Sequence, residues 1–216
     1  WRQNLMAYGI GIKDDPDHLE LLSKWLNSKN FIWGNPLMQA VIIIGPIWFL
    51  GVMAAWAFFI PWQIAILFLL PIGILLKQSH KEVERIHLHT TNTAGKLEVY
   101  AGLIKHIEQV EFTSPELQKL QQNFGPTSAQ VSRKLKNLDY IIQQLNVRYN
   151  FFEVFLNISF LWDLQWVYRL EKWKSKHKEQ LPLWFDTLSE FEALSSLANL
   201  WHNNPDWCMP VFHETK

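Results

Sequence analysis

Three histidines, His80, His87 and His89, lie close together in the chain with Glu84 between them. Glu84 and His87 form a Glu-x-x-His pair, the spacing that places a carboxylate and an imidazole on one helix face in di-iron bundles. Such a centre needs two of these pairs and two further carboxylates, and the sequence supplies one pair. His87 and His89 also point to different sides of a helix. A segment rich in His, Lys and Glu reads more simply as a solvated face, so no metal site is expected.

Thr93-Ala94-Gly95-Lys96 looks like the tail of a phosphate-binding loop, G-x-x-x-x-G-K-[ST]. Thr90 stands where the first glycine belongs, and Leu97 where a hydroxyl would ligate magnesium. Ser195 and Ser196 fall inside an amphipathic helix, where small residues serve packing, and no nucleophile sits in a recognisable elbow. Cys208, the single cysteine, has no partner for an intramolecular disulfide or a zinc site and fits a reducing compartment. Arg133, Lys134 and Lys136 are candidate contacts to a DNA backbone, as are Lys172, Lys174, Lys176 and Lys178. The plainer reading of both clusters is a solvated helix face. No catalytic residue and no cofactor site are therefore expected in this chain.

The elements around these residues are helical. Of 216 residues 49% are hydrophobic, which excludes a disordered chain. Twenty basic and twenty acidic residues cancel, so no global field draws in nucleic acid or anionic lipid. Twelve Trp and fourteen Phe are many for a soluble domain of this length and suit a membrane boundary or a large partner. No stretch alternates with period two, so no sheet is expected and the fold class is all-α.

From Asn30 to Leu76 the chain carries no charge, and Lys24 and Lys29 precede this run while Lys77, Lys81 and Arg85 follow it. A bilayer core takes about 20 apolar residues per helix, so Leu37 to Phe59 and Ile60 to Leu76 fit two spans with a turn at Phe59-Ile60-Pro61-Trp62. Basic flanks on both sides place both hairpin ends in the cytoplasm, at the cytoplasmic face of the inner membrane, with Trp33, Trp56 and Trp62 at the interfaces. Pro46 and Pro71 are tolerable kinks there. The alternative is a cytoplasmic, soluble assembly in which protein buries the hairpin.

The expected organisation is an N-terminal core helix segment over 1–35, the apolar hairpin over 36–76 and core helices over 77–216. Asp17 to Asn27 reads as a short amphipathic helix with Asp15 or Asp17 as cap and Leu19, Leu22 and Leu26 on one face. Lys77 to Val110 reads as a helix weakened at Thr90 to Gly95. Ser114 and Pro115 open a short helix that ends before Gly125-Pro126. From Thr127 to Leu181 there is neither glycine nor proline, and Val131, Leu135, Leu138, Ile142, Leu145, Tyr149, Phe152 and Leu156 follow heptad spacing. An unbroken helix here would extend about 80 Å and act as a strut, with a kink near Arg148-Tyr149-Asn150. Its packing seam is that stripe, with Lys134, Lys136, Asp139 and Gln143 facing water. Pro182 then starts a last helix that places Trp184, Leu188, Phe191, Leu194, Leu197, Ala198 and Trp201 on one face.

Leu188-Ser189-Glu190-Phe191-Glu192-Ala193-Leu194-Ser195-Ser196-Leu197-Ala198-Asn199-Leu200, followed by Trp207 and Pro210, resembles the helix that closes the core of MutS-type DNA mismatch repair ATPases just before their ATPase domain. Arg148-Tyr149-Asn150, Asn157, Leu161-Trp162-Asp163 and Leu170-Glu171-Lys172-Trp173-Lys174, with Trp1-Arg2-Gln3 and the hairpin's position, are similar to a branch of that family carrying hydrophobic segments in its middle. The resemblance implies a core and lever region that couples a downstream ATP- and magnesium-binding domain to a DNA clamp, in a protein that works as a homodimer. It further implies that Trp207 to Phe212 leads into a domain with its own G-x-x-x-x-G-K-[ST] loop. Here the apolar hairpin occupies the clamp's place, so the module would be a lever with a membrane anchor at 36–76 and no enzyme in itself. The competing expectations are a soluble DNA-binding module and a free-standing helical membrane protein or scaffold unrelated to DNA repair.

Overall fold

The computed structural model describes residues 17–125, 130–146 and 153–208, and among them all regular structure is helical. Helix α1 (Asp17–Asn27) buries Leu22, Trp25 and Leu26 on one face. A short loop carrying the buried Ile32 leads to α2 (Pro36–Phe58). The start of α2 is fixed locally: Pro36 takes the first turn, where a missing N–H costs nothing, and Asn35 Oδ1 accepts from the N–H groups of Leu37 and Met38 at 3.2 and 3.4 Å.

The chain turns at Phe59–Pro61, where the N–H groups of Phe59 and Ile60 both reach Ala55 O, and enters α3 (Trp62–Thr90). The expected division between a span ending at Leu76 and a separate helix from Lys77 is not there. One 29-residue helix carries the apolar run straight into the charged segment, because nothing near Lys77 breaks a helix. The break falls at Thr91–Thr93, a turn of 3-10 helix inside the stretch expected to be weak. Thr90 Oγ1 donates to Ile86 O at 2.9 Å and Thr91 Oγ1 to His87 O at 2.7 Å, closing the last turn. Gly95, at φ 78°, supplies the left-handed residue that lets α4 (Lys96–Gln109) leave in a new direction.

Helix α5 (Pro115–Gln122) is short, with Ser114 before its first turn. The body is built on α4, α6 (Val131–Asn146) and α8 (Trp162–His177), α6 lying between the other two. Leu97, Ala101, Ile104 and Ile107 of α4 meet the seam of α6. Val131, Leu135, Leu138, Ile142 and Leu145 are buried there as the heptad spacing predicts, and Leu156 is half-buried. Tyr149, Phe152 and the expected kink at Arg148–Asn150 lie outside the described residues.

The expected strut is overturned. Helix α6 has 16 residues, about 24 Å, and the chain comes back through α7 (Glu153–Phe160) so that α8 packs against α6. The break between α7 and α8 is at Leu161, a non-glycine residue in the left-handed region at φ 51°. A distant cap makes it possible: Asn157 Oδ1 accepts the N–H of Asp163, an orphan donor of α8's first turn, at 2.9 Å. Asp139 is a second correction. It is buried, because its carboxylate takes the Gly95 N–H at 2.7 Å and also accepts from the Gln143 side chain.

Helix α9 (Gln180–Asn203) begins two residues before Pro182. Trp184, Leu188 and Phe191 are buried, with Phe191 packed between Phe112 and Phe124 at 5.4 and 6.3 Å. Leu194, Leu197 and Trp201 are exposed, contrary to the single packed face expected, because the helix outruns the body after Ser195.

Candidate membrane hairpin and its clamp

Helices α2 and α3 are the two described helices long and apolar enough to cross a membrane, with mean hydropathies of 2.2 and 1.5 over their best windows. In each window 17% of the residues are buried within the protein, whereas the core helix of a soluble protein is mostly buried. The large side chains point outward, among them Ile43, Ile47, Phe59, Leu67 and Phe68. The buried positions are smaller or few: Ile42, Gly45 and Val52 on α2, Ala65 and Ile72 in the apolar part of α3. This is the reverse of a water-facing helix pair.

The pair is stapled across by Trp48, whose indole N–H donates to Phe68 O at 3.0 Å with the two rings 6.1 Å apart. That bond sits one residue from Leu67, whose carbonyl loses its helical donor to Pro71. At Gly45 the hairpin meets the body. A methyl there would lie 2.4 Å from Leu161 Cδ1, so the glycine lets the buried Leu161 side chain close on α2 and a larger residue would displace it. Trp56 and Trp62 are exposed near the turn, while Trp33, at the root, packs on Tyr168 at 5.6 Å with Lys172 Nζ 6.0 Å from its ring.

The root of α2 is held by α8. Glu171, buried, accepts from the backbone N–H groups of Phe31, Ile32 and Trp33 at 2.6, 2.8 and 2.7 Å. One turn on, Lys174 donates to the carbonyls of Trp25 and Ser28 at 3.3 and 3.2 Å and lies 5.2 Å from the Trp25 ring. Lys174 thus caps the C-terminal end of α1, where the helix dipole favours a cation. Burial pushes its ammonium below the usual lysine range, and the Glu171 charge opposes that shift. Lys174 stood among the basic candidates for a different role, and Glu171 was not singled out for its chemistry. The signal was position: Leu164, Val167, Glu171 and Lys174 are three or four apart, which sets two charges into the core-facing stripe of α8.

The residues that suggested chemistry are put to other uses. His87 is buried and bonded to Thr91 Oγ1 at 3.0 Å, while Glu84 pairs with His80 at 3.5 Å, so the Glu-x-x-His pair is not assembled. Among the described residues no group of three or more metal-ligating side chains comes together. The Gly95 N–H, which a phosphate would need, is taken by the Asp139 carboxylate. Ser195 is buried as a small packing residue and Cys208 is exposed.

Of the basic candidates, Lys174 is internal and cannot reach a phosphate. Lys134 is half-buried, 5.3 Å from the Trp184 ring. Arg133 and Lys136 are exposed beside a hollow that Lys105 and Glu108 also line. Glu108 there accepts from Ser132 Oγ at 2.6 Å and caps the start of α6.

Set against known protein families, curated proteins and solved structures, the chain matches none.

Proposed function

We propose that this chain is a membrane-anchored helical module, in which α2 and α3 cross the bilayer and the remaining helices form a body at its surface. The observation that carries the reading is the hairpin's inverted pattern, with large apolar side chains outward and little of either helix covered by protein. Burying such a surface in lipid removes it from water without a protein partner. Lys24, Lys29, Lys77 and Lys81, exposed on both sides of the apolar run, favour both ends in the cytoplasm. Vesicle flotation tests the anchor. The chain should float with phosphatidylcholine vesicles and resist extraction at high salt and alkaline pH. Leu67→Asp adds about 2.5–3.5 kcal/mol to insertion and should shift it toward the soluble fraction. A wild-type chain that remains soluble and monomeric without detergent would overturn the proposal.

A second reading follows the MutS-like resemblance: the body is a core module that couples an ATP- and magnesium-binding domain to the anchor, in a homodimer, with Arg133 and Lys136 toward DNA. The exposed apolar residues Leu194, Leu197 and Trp201 on the far half of α9 support it, since they offer a seat for a following domain. Without the long strut, coupling would run through the packed α6–α8 pair. Magnesium-dependent ATP hydrolysis by the full-length protein is expected, and a full-length chain without it would remove this reading.

A further inference from the structure

Helix α7 is built inside out. Two of its polar side chains are turned to the protein, Asn157 being 7% and Ser159 1% exposed, while Val154 is 66% and Phe155 62% exposed on the side opposite them. A surface helix in water shows the opposite arrangement. The Asn157 side chain is committed inward by its bond to the Asp163 N–H, and with the buried Ser159 it brackets the side of α7 turned to the protein.

Its position along the hairpin is fixed as well. A groove of about 370 Å³ separates α7 from α3, with Gly73, Leu76, Lys77 and His80 among its lining on one side and Val154, Asn157 and Ile158 on the other. That is the stretch of α3 where the apolar run gives way to charge, at Leu76–Lys77. Leu161, at the end of α7, presses on Gly45 of α2. The outward apolar side of α7 is therefore continuous with that of the hairpin and lies where the hydrocarbon would end, beside the exposed Lys77 and Lys81 ammonium groups, which suit lipid phosphates.

We propose that α7 is a third lipid contact: an interfacial helix that sinks Val154 and Phe155 into the boundary between headgroups and acyl chains and sets how deep the hairpin enters. This rests on the anchor reading above, and the occupant is lipid rather than a second protein.

The test uses the whole chain with Cys208→Ser, carrying one cysteine at a time at Ile47, Phe155 or Lys136, each labelled with an environment-sensitive fluorophore. All three positions are exposed, so the fold should tolerate the label, and unchanged helical circular dichroism checks this. In vesicles of phosphatidylcholine and phosphatidylglycerol, the probe at 47 should be quenched by lipids brominated deep in the acyl chain. The probe at 155 should be quenched by lipids brominated near the headgroup and protected from aqueous iodide, and the probe at 136 should be open to iodide. A probe at 155 that behaves like the one at 136, while 47 reports lipid, overturns the role of α7 and leaves the anchor standing. A probe at 155 that is shielded from both quenchers points to a protein partner and likewise overturns it. A probe at 47 open to iodide overturns both.

Discussion

One helical turn separates Glu171 from Lys174, and the two side chains hold opposite ends of the same connection: Glu171 takes N–H groups at the root of α2, and Lys174 takes carbonyls at the end of α1. Removing either member strands its own backbone partners in a partly buried site. Glu171→Ala leaves three N–H groups without their acceptor, and a loss of about 3–5 kcal/mol is expected. Glu171→Gln keeps one acceptor oxygen and should cost less. Denaturation of the micelle-embedded protein, followed by circular dichroism, should rank Ala below Gln below wild type, and equal midpoints would deny the clamp any energetic weight.

Asp139 gives a pH signature. Burial raises its pKa against the pull of its hydrogen bonds from Gly95 and Gln143. The folded chain then holds this proton more tightly than the unfolded chain, so the contribution of Asp139 is fully present below the ordinary aspartate value. It is lost as pH rises through the raised one. Asp139→Asn does not titrate. The stability difference between wild type and Asp139→Asn should therefore move against wild type as pH climbs from the ordinary aspartate value and level off only above the raised one. A flat difference would show that the pKa is not raised.

The seam of α6 predicts a contrast between neighbours. Leu138→Ala or Ile142→Ala, each from full burial, should cost about 2–5 kcal/mol, whereas Lys136→Ala, exposed on the same helix, should change stability by less than about 0.5 kcal/mol. Ile142→Pro should be worse than either, since it also removes a backbone bond. Chemical melts in a membrane mimetic would read these differences directly.

Two glycines of α2 separate space from helix propensity. At Gly45 a methyl meets Leu161 Cδ1 at 2.4 Å and Cγ at 3.3 Å, and Leu161 is itself buried, so Gly45→Ala should cost about 1–3 kcal/mol by pushing the Leu161 side chain out of its packing. At Gly51 nothing lies within 4 Å, and Gly51→Ala should be neutral or slightly stabilising. Equal effects at the two positions would contradict the close approach.

The all-helical class, the hairpin and the first part of the seam were legible because each is written as a pattern along one segment: charge absence, length and heptad spacing. The break at Leu161 was not, because its cap, Asn157, lies inside the preceding helix rather than next to the first turn it satisfies. Asp139 was placed toward water because it lies off the heptad stripe, and Lys174 was read as part of a solvated face that could touch phosphates. Their partners, the Gly95 N–H and the carbonyls of Trp25 and Ser28, are 44, 149 and 146 residues away in the chain, and no local pattern announces them. The far half of α9 repeats the apolar spacing of its near half, so sequence could not say that the body ends at Ser195.

Because Phe31, Ile32 and Trp33 are bonded directly to α8, the hairpin is not slung from a slack tether. If α2 spans a bilayer as proposed, a change in its tilt would be passed through residues 31–33 to α8. A thinner or thicker bilayer, which tilts spanning helices to different degrees, would then be felt as torque in the body rather than absorbed at the membrane surface.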